Sequence, residues 1–88
     1  MIYICIKLFQ LPTVLIHRNY RFFFYCNDHS PVHIHVEKKG KTAKFNLEPL
    51  ELIRSNKFNA LELRRIRKLI EVNQELFKHK WNEFFNNI

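Results

Sequence analysis

The chain has one glycine, three prolines and two cysteines in 88 residues. With Gly40 as the only glycine, few positions turn left-handed without cost, so loops must be short and few. The glycine-rich phosphate loops of nucleotide-binding enzymes are excluded, and neither a nucleophile elbow nor a zinc-finger spacing occurs. Cys5 and Cys26 are too few for a disulfide framework and read as small apolar residues of a cytosolic protein. No apolar run approaches the roughly 18 residues that a membrane-spanning helix needs. Lys7 interrupts the apolar start of the chain, and neither a basic leader nor a small-residue cleavage site accompanies it. A signal peptide is therefore not expected. Acidic residues are the last shortage: eight Asp and Glu face 15 Lys and Arg, a formal net charge of +7. That balance favours nucleic acid, an acidic protein or an anionic membrane as partner, without choosing among them.

What the chain has in excess is aromatic surface, with nine Phe, three Tyr and one Trp. A composition of this kind argues for a packed core and against disorder. Residues 1–88 make one domain, because two cores would each fall near the floor of about 40 residues for unaided folding. Residues 1–11 form an N-terminal extension in which Ile2, Ile4 and Ile6 alternate with Tyr3, Cys5 and Lys7. This reads as a short strand paired with the sheet or with a second copy, ending at Pro12.

Residues 13–17 are apolar and β-branched, Arg18 and Asn19 suit a tight hairpin, and residues 20–26 (YRFFFYC) suit a strand covered on both faces. Residues 27–31 compose a turn. Along residues 32–38, Val32, Ile34 and Val36 point one way and His33, His35 and Glu37 the other. Lys39 and Gly40 lead into residues 42–48, with Ala43, Phe45 and Leu47 inward and Lys44, Asn46 and Glu48 outward. Pro49 is expected to end that strand.

Asn59 and Glu62 have the spacing of a capping box. Apolar residues at 63, 66, 69, 70, 76, 77, 81, 84 and 85 then form a helical stripe, with Trp81, Phe84 and Phe85 as core. No Gly or Pro interrupts residues 59–88. That favours one long, weakly kinked helix over two helices broken near Asn73. The expected fold is α+β: a three- to four-stranded antiparallel sheet over residues 12–48, followed by a long or broken C-terminal helix over residues 59–87, packed on one face.

The sharpest chemical feature is the run from Asp28 and His29 to His33, His35 and Glu37. Ile34 and Val36 account for the core face, so packing does not call for the imidazoles. Three readings stay open. The residues can simply be the wet face of a sheet. They can form a metal site from His29, His33 and His35, or with Glu37 in place of His29 as third ligand, because His-x-His on a strand aims two imidazoles at one point. Or His33 and His35 can be a proton-transfer pair oriented by Glu37 and acting on a phosphodiester, with Arg21, Lys44 and Arg64 or Arg65 holding phosphates. The last reading needs no metal or cofactor. Arg64, Arg65, Arg67 and Lys68 lie opposite the apolar stripe, as the solvated side of an amphipathic helix or as a nucleic-acid footprint.

From YRFFFY at 20–25, through Asp28-His29 and Pro31, to HIHVEK at 33–38, the sequence resembles a small bacterial family of domains of unknown function, DUF4160. The resemblance runs from Pro12 and Thr13 to WNEFF at 81–85. Residues 1–11 depart from it, Asn19 stands where the family tends to have Gly, and Cys26 where Ser is usual. The resemblance implies a cytoplasmic bacterial protein with a small cognate protein partner, in a gene setting similar to that of toxin–antitoxin pairs. It supplies neither an activity nor catalytic residues. The leading expectation is thus a small toxin–antitoxin-type protein that binds RNA and, if an enzyme, cleaves it as a metal-independent endoribonuclease. A non-catalytic module docking an acidic partner through its basic helix is the alternative, and a histidine-based metal protein the third. Homodimerisation is left open.

Overall fold

The computed structural model describes residues 13–25, 28 and 31–86. The expected N-terminal strand, Cys26 and His29 lie outside the described residues. Five strands precede two helices: β1 (Thr13–His17), β2 (Tyr20–Phe23), β3 (His33–Lys38), β4 (Lys41–Leu47), β5 (Leu50–Asn56), α1 (Ala60–Val72) and α2 (Gln74–Asn86). The sheet is an antiparallel meander in chain order.

Two of its turns follow from their residue types. Arg18 and Asn19 have φ of 49° and 72°, and Lys39 and Gly40 have 47° and 81°. Paired positive φ values make two-residue hairpins whose twist matches that of the strands. His17 accordingly faces Tyr20, and Lys38 faces Lys41.

The strand count of three to four is corrected to five. Pro49 does not end the sheet; with Glu48 it forms the turn that brings Leu50 opposite Leu47. β5 escaped the sequence reading because it is an edge strand exposed along residues 51–56, with no alternation of burial to betray it. The β part therefore runs to Asn56 rather than to residue 48.

One face of the sheet carries the apolar core. Phe22, Ile34, Val36, Phe45 and Leu47 pack with Ile66, Ile70 and Phe77 from the helices, all fully buried. Phe22 meets Phe77 at a ring separation of 5.3 Å, and Phe24 meets Trp81 at 5.3 Å. Ile34, Val36, Phe45 and Leu47 thus take the inward side that alternation assigns them.

The capping box forms as expected. The Glu62 N–H donates to Asn59 Oδ1 at 2.8 Å, and the Asn59 N–H donates to Glu62 Oε1 at 3.1 Å. Lys41 Nζ adds a 2.9 Å bond to Glu62, tying β4 to α1. The Lys41 contact, helped by the Asn59 N–H, holds the Glu62 carboxyl below its ordinary range. Gln74 donates to the Leu47 carbonyl, and Lys78 pairs with Glu48 at 3.1 Å, fixing α2 against the β4–β5 turn.

The preference for one long helix is also corrected: α1 and α2 are separate helices of 13 residues each. Asn73 makes the break. Its side-chain amide donates to the Leu69 carbonyl at 2.8 Å, while its N–H is shared between the Leu69 and Ile70 carbonyls. This local competition ends the regular ladder without Gly or Pro. No helix among the described residues is long and apolar enough to cross a membrane.

Candidate functional site

The face of the sheet turned away from the helices, together with the end of β3 that meets Trp81 of α2, gathers the chemistry. Cross-strand pairing sets Arg21 beside Glu37, and Phe23 beside His35, which in turn lies beside Lys44. His35 and Glu37 are on the expected side of β3. The expectation of solvated imidazoles does not hold, however: His33 is 3% exposed and His35 7%. Aromatic rings enclose them. Phe23 stacks on His35 at 5.4 Å and Tyr25 approaches its edge at 4.6 Å, while Trp81 packs edge-on against His33 at 4.9 Å.

Both imidazoles converge on Asp28. The chain after β2 closes on itself at this residue, whose N–H donates to the Tyr25 carbonyl at 3.1 Å while its carboxylate accepts the Tyr25 N–H at 2.8 Å. The carboxylate is thereby fixed with His33 Nε2 at 3.2 Å and His35 Nε2 at 3.2–3.3 Å. Burial pushes the Asp28 pKa up. The contacts with His33, His35 and the Tyr25 N–H outweigh burial and hold the carboxyl well below the usual carboxylate range.

His33 has a defined tautomeric constraint. Its Nδ1 lies 2.8 Å from the Pro31 carbonyl, which only accepts, so Nδ1 carries a proton. Its Nε2 is buried without an aligned hydrogen bond, although the Asp28 oxygen is close. The 3.2 Å separation is therefore an ion-pair distance with poor direction rather than a good hydrogen bond.

Glu37 does not orient a histidine. It accepts from Arg21 at 2.8 Å, and Arg21 also donates to Thr13 and lies 4.2 Å over the Phe23 ring. Asp28 fills the orienting position instead; the sequence sets it at the head of the chemical run without giving it a role. Its signal was its place five and seven residues before the two histidines, across a loop short enough to fold back. Arg54 is the second residue that was missed, because β5 was missed. It faces Lys44 across the β4–β5 pair, and both line a cleft of about 90 Å³ with His35, Tyr25 and Phe23.

The phosphate-binding residues expected together are divided by the sheet. Arg21 and Lys44 lie on the histidine face, whereas Arg64, Arg65, Arg67 and Lys68 lie on α1, which covers the opposite face. Arg67 pairs with Glu71 at 3.5 Å. Arg65 and Lys68 border a groove of about 310 Å³ with His17, Arg18, Tyr20, Leu69 and Val72.

A family model described as domain of unknown function (DUF4160) matches residues 19–82. The chain belongs to this family. The matched span of this DUF4160 protein takes in Asp28, both buried histidines, Lys44, Arg54 and the α1 cations. No curated protein and no solved structure matches the chain.

Proposed function

We infer that this DUF4160 protein is an RNA-binding component of a small toxin–antitoxin-type pair, gripping the phosphate backbone on its histidine face. The cleft shared by Lys44, Arg54, His35 and Tyr25 is the observation that carries the reading. Lys44 and Arg54 have no ion-pair partner among the described residues, so their charge is available to an anion. Two cations beside an imidazole suit a phosphate, and the half-exposed Tyr25 ring offers a stacking surface for a base.

The geometry favours binding over cleavage by a histidine pair. Both Nε2 atoms face one carboxylate, and His33 is enclosed under Trp81. Among the described residues of this face, no second imidazole stands free to give a proton to a leaving group. Fluorescence anisotropy with a single-stranded RNA oligonucleotide, across a salt series, tests the reading. Replacing Lys44 and Arg54 by Ala should weaken binding and lower the salt slope by about two, roughly one per phosphate contact. Absence of binding at low salt overturns it.

Partner docking is a second reading with its own observation, the groove between the β1–β2 turn and α1. Tyr20, Leu69 and Val72 are its apolar lining, and His17, Arg18, Arg65 and Lys68 its polar and basic lining. Val72 is 79% exposed there. An acidic segment with an apolar anchor matches this surface in charge and character. Co-purification with the neighbouring small protein, lost on Arg65→Glu with Lys68→Glu, supports it; unchanged capture removes it.

A further inference from the structure

We propose that Asp28, His33 and His35 bind a divalent transition-metal ion of the zinc class. The inference rests on the geometry of the three side chains and does not need the RNA reading to hold. One ligand atom from each residue lies within 4.8 Å of the other two. Tetrahedral bonds of about 2.0–2.1 Å hold two ligand atoms about 3.3 Å apart. The Asp28 oxygens already stand at 3.2 Å from each Nε2. The widest spacing in the set, up to 4.8 Å, must close by about 1.5 Å to reach that value, through an inward movement of the two imidazoles.

Four linked features point to a cation rather than to packing. The Pro31 carbonyl accepts the proton of His33 Nδ1, so Nε2 is the ring nitrogen turned to the centre. A metal-bound histidine is oriented in this way by a carbonyl acceptor behind it. Nε2 lies 3.2 Å from a carboxylate oxygen, a contact that calls for positive charge, from a metal ion or from a second proton on the ring. Nε2 is also buried and lacks an aligned hydrogen-bond partner, an expensive state that a metal bond relieves. Finally, Phe23, Tyr25 and Trp81 pack around both rings and leave them little freedom to turn away. Two imidazoles and one carboxylate favour Zn²⁺, Co²⁺ or Ni²⁺ over Ca²⁺ and Mg²⁺, which prefer oxygen. The competing source of positive charge is a second proton on His33.

The test uses the full chain, stripped of metal, and Zn²⁺ alone. Calorimetry should give one site per chain, and Co²⁺ should produce visible ligand-field bands that Zn²⁺ displaces. Asp28→Asn, His33→Ala and His35→Ala should each weaken binding by about tenfold or more. His17→Ala and His79→Ala, at exposed histidines, should leave it unchanged. Failure of Zn²⁺ to bind stoichiometrically, or loss of binding through His17 or His79, overturns the proposal. Should a cluster variant unfold, long-range ¹⁵N spectra of the imidazoles decide on the unaltered chain. Zn²⁺ should shift Nε2 of both His33 and His35 while His33 Nδ1 stays protonated. A spectrum unmoved by Zn²⁺, with His33 protonated on both nitrogens, assigns the charge to a proton and overturns the metal site. RNA binding, measured separately in chelator, reports on the other reading alone.

Discussion

The two faces of the sheet are buried for different reasons, and β3 supplies both. Ile34 and Val36 vanish under α1 and α2 because contact with Ile66, Ile70 and Phe77 removes apolar surface from water. His33 and His35 are nearly as inaccessible, yet they surround a carboxylate and a wall of aromatic rings. Burial on the first face is a source of stability. On the second it costs desolvation that only partners offset, and one partner, for His33 Nε2, is poorly aligned. A face that spends stability on polar burial is where a function should be sought.

Breaking the apolar face should have the largest effect. Phe77→Ala empties a fully buried site against Phe22 and should cost about 3–5 kcal/mol in denaturant unfolding. A cost under about 1 kcal/mol would mean that α2 is not held as described. Asn59→Ala should cost roughly 0.5–2 kcal/mol, because the capping box loses one of its two bonds. Its readout is the same unfolding curve, and an unchanged midpoint contradicts the box.

The pH dependence of the helix-covered side follows from Glu62. Its folded carboxyl is depressed by Lys41 and the Asn59 N–H, so its contribution is present above the unfolded carboxylate value. That contribution is lost as pH falls from about 4 toward the depressed folded value. Glu62→Gln should therefore flatten the acid limb of a stability–pH profile while leaving its neutral plateau pH-independent. An acid limb identical to that of the parent chain removes this assignment.

The smallest expected effect sharpens the other face. Glu37→Gln frees Arg21 from its 2.8 Å partner and should strengthen RNA binding by about threefold at low salt, as one more phosphate-facing cation would. Its effect on stability should stay within about 1 kcal/mol, the range of exposed pairs. The same substitution weakens function if Glu37 orients a catalytic histidine, so the sign of the change separates the two roles.

Much of the fold was legible because local rules agreed. Alternation placed Ile34, Val36, Phe45 and Leu47 inward, Arg18 and Asn19 announced their hairpin, and Asn59 with Glu62 announced the start of α1. β5 was not legible, since an exposed edge strand needs no apolar period and Pro49 reads equally as a stop or a turn. The helix break was hidden because Asn73 competes through its side chain rather than through a missing donor. In the site, alternation found the face but not its centre. Asp28 is brought to His33 and His35 by a loop closing on Tyr25, and Arg54 reaches Lys44 only through the unforeseen strand. Charge counting joined Arg21 and Lys44 to the α1 cations, although the sheet stands between them.

Chemical-shift mapping of a short single-stranded RNA on the ¹⁵N-labelled chain tests most directly that the histidine face is the working face. Shifts are predicted to concentrate at Arg21, Phe23, Tyr25, His35, Lys44 and Arg54, with residues 64–68 nearly still. Shifts confined to residues 64–68, or none at all at low salt, would contradict it.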